Sequence, residues 1–330
     1  MPFIPKDFPS TGKTYSIYGK SVYSDYPMPL PYAFTGKPDI TITFDGIVPR
    51  TEKKPPNLSG RVWRKEHGHH VLQFYNAEGY MTQFKMDANG SHIRIAQSWP
   101  DWQDTLFVLL NPALAAVTAL QGHGILHASS LIRDGRSTLI MGISGAGKST
   151  LSAALAMGGM SVHSDDIAVL RWDDDIPNVM QGYPCIKMHP GLPRILGMPD
   201  VPMIPVFSDP QNSLKAQTNT SSEYWLSAEH LPGKFHAGPA PLNAIIILGE
   251  RRKSIKQPGY EKLSAGNAVM ALTEHIYGRD WLNLPGNKTL MLCTRLAQLI
   301  PVYKVNMPDD LGELECAANI LDKQLVQGLF

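Results

Sequence analysis

"MGISGAGKSTLSAAL", Met141 to Leu155, is the stretch on which the reading of this chain turns. An apolar run ends at Met141, glycines at 142, 145 and 147 bend the chain, and a lysine opens a series of good helix formers. The spacing fits G-x-x-x-x-G-K-[ST] without a gap, through Gly142, Gly147, Lys148 and Ser149. Glycine permits positive φ and lets the backbone come close to a polyphosphate, where a Cβ would obstruct it. Successive N–H groups then face inward as an anion nest, and the helix that follows adds the positive end of its dipole. The flanks agree: "STLIMG" reads as a buried strand, and "KSTLSAALAMGG" reads as a helix ended by Gly158 and Gly159.

This strand, loop and helix make a P-loop, and the expected ligands are ATP and Mg²⁺. Gly142, Ser144, Gly145, Ala146, Gly147, Lys148, Ser149 and Thr150 are the expected phosphate-binding residues. Lys148 is placed to reach the β/γ-phosphates, and the Ser149 hydroxyl to ligate Mg²⁺.

The whole chain sets the limits around that motif. At 330 residues, 43% hydrophobic and 18% charged, it can bury a large core and hold two domains. A net charge of +1 gives no reason to expect a nucleic-acid partner. Cys185, Cys293 and Cys316 are far apart, without metal spacing, and read as reduced thiols of a cytoplasmic protein. "MPFIPKDFPSTGK" lacks the apolar core of a signal peptide. "LFVLLNPALAAVTAL", residues 106–120, is interrupted by Asn111-Pro112 and reads as a buried core helix too short to span a bilayer. No membrane partner is expected.

Residues 1–105 alternate aromatic and polar positions between Gly, Pro and Asp turns, which predicts a small, mostly antiparallel β-rich N-terminal domain suited to substrate recognition. Residues 106–330 form the second, α/β domain around the P-loop. Within it, "GILHASSLIRDGRSTLIMG" predicts two strands joined at Asp134-Gly135, and "MSVHSDDIAVLRW" predicts the strand that completes a β-α-β core. The stretch 201–222 is rich in proline and small polar residues, and reads as either a substrate-contacting lid or a plain mobile connection.

A P-loop alone does not separate a kinase from a switch or a transporter ATPase. About fifteen residues past Lys148, "HSDD" brings Asp165 and Asp166 to a strand end beside the nucleotide. Adjacent carboxylates there can divide two tasks, holding Mg²⁺ and accepting a proton from an attacking hydroxyl. If the strand stays regular, they point to opposite faces. Asp173 to Asp175, by contrast, read as a solvated hairpin tip. "GNKTL" at 286–290 has Leu290 where a guanine-reading aspartate would stand, and no "LSGGQ" occurs. A GTPase switch and a transporter ATPase are therefore disfavoured. A nucleotide-binding module without transfer activity, and a kinase of a small alcohol, stay open.

His127 in "LHAS", the "GISGAGKST" loop and "SDD" at 164–166 together resemble the kinase domain of HPr kinase/phosphorylase. They also resemble the HPr-kinase-like serine kinases encoded with modified-peptide clusters, among them lasso peptide kinases. The resemblance implies a P-loop HPr-kinase-like fold over the second domain and phosphoryl transfer to a serine of a protein or peptide. A lasso precursor peptide is one such acceptor, and a homo-oligomer is allowed. Position by position, it implies Asp165 as the catalytic base, His127 as its hydrogen-bonding support and Asp166 with Ser149 as the metal residues. The E-[IV]-R-G segment of the authentic enzyme is not found here. "CIKMHPGLPR" stands in that place, which leaves the cation that meets transition-state charge unassigned, with Lys187 and Arg194 as candidates.

Overall fold

The computed structural model describes residues 12–33, 36–49, 60–75, 79–99, 101–207 and 223–326. The signal-peptide reading of the first eleven residues, and 208–222 of the proline-rich stretch, lie outside the described residues. The chain is mixed α/β with several sheets and divides into two compact units. The first comprises Met1–His123, Ile204–Tyr224 and Gly278–Asn283; the second comprises Gly124–Met203, Trp225–Tyr277 and Leu284–Phe330.

In the first unit seven strands form one sheet: β1 (Lys13–Ile17), β2 (Lys20–Ser24), β3 (Ile40–Ile47), β4 (Arg61–Glu66), β5 (His69–Tyr75), β6 (Met81–Met86) and β7 (His92–Gln97). Their order is β1-β2-β3-β7-β6-β5-β4. The outer hairpins are antiparallel as the alternation predicts, while β3 pairs in parallel with both β2 and β7. Apolar residues at every second position, such as Ile40 and Ile42, Leu72 and Phe74, Ile93 and Ile95, bury the core face.

That core includes α1 (Trp102–Val108) and α2 (Leu114–Leu120), joined by a π-helical turn at Leu109–Ala113. The turn absorbs Pro112, whose missing N–H would otherwise break the helix, and Asn111 Nδ2 donates to the Phe107 carbonyl at 3.2 Å. Thr105 meets Thr82 of β6 at 2.9 Å, and the Tyr18 hydroxyl donates to the Leu110 carbonyl at 3.2 Å. These contacts place residues 106–123 in the first unit, where the sequence reading had put a boundary after 105. The continuous helix Trp102–Leu120 is also longer than the pattern suggested. By length and composition it is long enough to cross a membrane, and 83% of its most apolar 18-residue window is buried inside the protein.

The second unit contains β8 (Gly124–Leu126), β9 (Ala128–Arg133), β10 (Arg136–Met141), α3 (Lys148–Met157), β11 (Ser161–Ser164), β12 (Ala168–Asp173), β13 (Ile176–Met180), β14 (Cys185–Met188) and α4 (Leu192–Ile195). After β15 (Met203–Pro205) and β16 (Tyr224–Ser227) come β17 (Ala240–Arg252), β18 (Gly259–Lys262), α5 (Ala265–Glu274), α6 (Gly286–Leu299), β19 (Val302–Pro308) and α7 (Leu314–Val326). Nine strands join in one sheet whose centre, β10-β17-β19, is parallel. Asp134 and Gly135, both at positive φ, form the tight turn between antiparallel β9 and β10 that their sequence predicts.

Alternation along the central strands feeds two cores. Ile140, Ala244 and Ile246 pack with Leu151 and Leu155 of α3 and with Leu321 of α7. Leu139, Met141, Ile245 and Ile247 pack with Leu272 of α5 and with Cys293 and Leu296 of α6. Both faces of the sheet are covered, as a parallel sheet requires. The carboxyl ends of β10 and β17 then meet at one edge, where the loop after β10 opens.

Candidate active site

β10 ends at Met141 and the chain enters the loop through Gly142, with φ values of 157° at Gly142, 81° at Gly145 and 100° at Gly147. A Cβ on Gly142 would stand 3.0 Å from the Ala146 Cβ and 3.2 Å from the Leu248 Cβ, so this glycine is required by packing. At Gly145 a Cβ would meet nothing within 4 Å and would project into open space at the loop. Gly147 caps α3 without a side-chain acceptor, leaving the first N–H groups of a ten-residue helix for another partner. These features fit a bound polyphosphate.

Lys148 is 8% exposed, and its Nζ donates to the carbonyls of Gly142 at 2.9 Å and Ile143 at 3.3 Å. The ammonium is thus folded over the loop's own backbone. Ser144 and Gly145 lie at the exposed tip, and Ser149 and Thr150 are half-buried in the first turn of α3. Ala146, Gly147 and Thr150 form one wall of a cavity of about 320 Å³. Its other walls are mostly apolar, from Leu248, Met307, Leu314 and Ala317, with Asp310 and Glu313 also lining it and Arg251 and Asp309 at 3.7 Å from each other. The Arg251 guanidinium lies 3.7 Å from where a Gly147 Cβ would stand, so it brings a cation to the loop.

The two aspartates do not sit on a regular strand. β11 stops at Ser164, Asp166 takes a left-handed φ of 65°, and β12 resumes at Ala168. The one-strand reading of "MSVHSDDIAVLRW" and the opposite-faces expectation are corrected by this turn. Asp165 turns into the protein and is 1% exposed. Its Oδ1 accepts from the Ser129 hydroxyl at 2.6 Å, and its Oδ2 accepts from the Lys187 backbone N–H at 2.8 Å. Burial first, and the neighbouring Asp166 charge second, push its carboxyl up to about 6.

Asp166 is different. Its side chain is 17% exposed, ion-paired at Oδ2 with Lys187 Nζ and 3.8 Å from His127 Nε2 at Oδ1. Burial opposes its ionisation, but the Lys187 charge and the His127 contact outweigh that and hold it well below the usual carboxylate range.

His127 lies at the break between β8 and β9, not within a paired strand, because its N–H donates to the His275 carbonyl at 2.7 Å. Its partner is Asp166; the sequence reading had given it to Asp165. His275 is held low, at about 4, by burial first and then by the charges of Lys148 and His127. One buried imidazole therefore lies within electrostatic reach of both the loop lysine and His127, the neighbour of Asp166.

Of the two candidate cations, Lys187 on β14 is brought to the aspartates. Arg194 sits exposed on the four-residue α4, its guanidinium without a hydrogen bond or ion pair among the described residues. Sequence reasoning missed Ser129 and Arg251. Ser129 follows His127 by two positions in "LHASS", a polar residue on an apolar strand, which is a usable signal. Arg251, in "GERRK", looks like any solvated charge at a strand end. Among the described residues no group of three or more His, Cys, Asp or Glu forms a metal cluster. Mg²⁺ with a nucleotide needs none, since one or two protein oxygens and the phosphates complete its shell.

No family model matches the chain, and no curated protein matches it. Among solved structures the chain is similar to the Hpr(Ser) kinase/phosphatase from Coxiella burnetii, with 15% sequence identity and a TM-score of 0.32, covering 62% of this chain and 97% of that one. A likeness of that size leaves the function to be read from the site itself.

Proposed function

We propose that the protein is an ATP-dependent kinase that transfers a phosphoryl group to a serine hydroxyl of a protein or peptide. The observation that supports it most is a phosphate-shaped loop set beside a Lys187–Asp166–His127 cluster, with His275 between them: its carbonyl accepts from the His127 N–H at 2.7 Å, and it lines one groove with Ile143 of the loop. Phosphoryl transfer asks a protein for positioning and charge neutralisation rather than covalent chemistry, and these residues offer both.

ATP, when bound, supplies the phosphoryl group. The loop N–H groups and Lys148 hold its phosphates, Arg251 flanks them, and Ser149 ligates Mg²⁺. The apolar cavity beside Thr150 takes the nucleoside, whose base has a flat apolar face to bury. Lys187 neutralises charge beside the reacting centre.

The roles of the aspartates divide by access. A general base must reach the proton it takes, so geometry is weighed before pKa. Asp165 has the better-matched pKa, but it is 1% exposed, whereas the Asp166 side chain, although contacted by Lys187 and His127, is 17% exposed. Asp166 is the accessible carboxylate, so it accepts the serine proton, and His127 orients it. Asp165 is the positioning residue that fixes the turn through Ser129 and Lys187. This division moves the base from Asp165, where the sequence reading puts it, to Asp166, which that reading gives to Mg²⁺.

The test is ADP release with ATP and Mg²⁺, measured with and without serine-containing peptides, lasso precursor peptides among them. The proposal expects release stimulated by peptide, with phosphoserine in the product. Nucleotide binding without either would leave only a nucleotide-binding module.

A further inference from the structure

Beyond the loop tip, an open groove of about 610 Å³ runs between the end of β17, β18 and α5. Ile143 and Met270 line it, and each is 72% exposed. A single exposed aliphatic chain needs no explanation, but two that share one groove with Leu263 make an apolar patch suited to a partner. The charges in the same lining are Glu250, Glu261, Glu274 and Lys304. Lys304 stands opposite Glu261 in the β18–β19 pairing, and Glu250 is ion-paired with Arg252. Glu274 has no ion pair among the described residues, and it ends α5, where the helix dipole adds to its negative potential.

The groove is continuous with the reacting residues. The Ile143 carbonyl accepts from Lys148 Nζ at 3.3 Å. His275 lines the groove, and its carbonyl accepts from the N–H of His127, which lies 3.8 Å from Asp166.

We infer that this groove holds the acceptor segment beside the reacting serine, and that the segment carries a lysine or arginine for Glu274 and a large aliphatic residue for Ile143 and Met270. The inference rests on the proposed kinase activity and adds to it a substrate class, a cationic and aliphatic serine peptide. Charge complementarity selects the partner: with Glu250 paired to Arg252 and Glu261 opposite Lys304, the Glu274 carboxylate is left to favour a cation and repel an acidic peptide.

The experiment uses the full chain with ATP and Mg²⁺ and a series of serine peptides. Each peptide carries one isoleucine and one lysine, moved stepwise along either side of the serine, and each has a glutamate counterpart. The expected result is a preference for the best lysine peptide over its glutamate counterpart of about fivefold to tenfold in kcat/KM, carried by KM. Glu274→Lys should abolish or invert that preference, and Glu274→Gln should halve it or more, with the nucleotide Kd unchanged in both. Lysine suits a helix C-terminus, so the reversed variant should fold. Binding of fluorescently labelled lysine peptide, followed by anisotropy, separates the two levels. Phosphorylation without charge preference, or a preference untouched by Glu274→Lys, overturns the groove assignment alone. No phosphorylation, with binding still weakened by Glu274→Lys, overturns the kinase reading and keeps the groove. Neither phosphorylation nor charge-dependent binding overturns both.

Discussion

The loop at 142–149 and the turn at 165–166 both put backbone into the left-handed region, but they do so with different residues. The loop uses Gly142, Gly145 and Gly147, which adopt positive φ at no steric cost. The turn uses Asp166 at φ 65°, a conformation that costs a non-glycine residue about 1 kcal/mol. What the turn gains is a carboxylate aimed at Lys187 and His127. Glycine makes room for a ligand; aspartate spends strain to aim a reacting group. The first region should therefore govern nucleotide binding, and the second the rate of transfer.

Removing the loop cation tests this comparison most severely. Lys148→Ala should weaken ATP binding and lower transfer by more than about 10³-fold, since it removes charge neutralisation in ground and transition states alike. Isothermal titration and phosphopeptide formation measure the two effects separately. On the turn side, His127→Ala should lower kcat by about 10- to 100-fold with the nucleotide Kd nearly unchanged, because it disturbs the orientation of Asp166 without removing it. A raised nucleotide Kd in that variant would erase the distinction between the regions.

Gly145→Ala sharpens the loop side. The added Cβ meets no protein atom but projects into the open space at the loop from a φ of 81°. We expect ATP affinity to fall about tenfold while the melting temperature drops only slightly, as about 1 kcal/mol of strain would cause. Gly142→Ala should do the opposite and lose stability first, because its Cβ would crowd Ala146 and Leu248.

The smallest effect concerns Asp165, whose folded carboxyl is raised from 3.8 to about 6. Between those values the native state holds more proton than the unfolded chain, so this group's contribution to stability is full below pH 3.8 and is lost as pH rises through about 6. Asp165→Asn should remove that component, and the variant's melting temperature relative to wild type should rise across that window. Asp166 contributes with the opposite sign, since its pKa is depressed, so the difference between the two proteins is the quantity to follow.

The backbone course of the loop was legible because positive φ favours glycine, and that demand leaves a glycine spacing in the sequence. The hairpin at Asp134-Gly135 was legible for the same reason, and the alternation along β10 and β17 because a strand turns successive side chains to opposite faces. The aspartates stand out in the sequence as an adjacent pair, but their different surroundings do not. Their division depends on a turn between β11 and β12 that is stabilised by Ser129 on β9 and Lys187 on β14, remote in the chain. The end of the first unit was misplaced because 106–120 is apolar enough to serve either core, and only contacts such as Thr82 with Thr105 decide between them. Arg251 was invisible because one charge at a strand end looks like any other until the loop is folded beside it.

The central claim is that Asp166, not Asp165, takes the proton from an acceptor serine. It is tested most directly by single-turnover phosphopeptide formation from preformed ATP–Mg²⁺ complexes of Asp165→Asn and Asp166→Asn, each shown to be folded by its thermal transition. Asparagine suits both variants, since it keeps the shape and tolerates the left-handed φ of residue 166. The account predicts that Asp166→Asn binds nucleotide normally and loses about 10²- to 10⁴-fold in rate, while Asp165→Asn keeps most of its rate. A full rate in Asp166→Asn beside a collapsed rate in Asp165→Asn would contradict it.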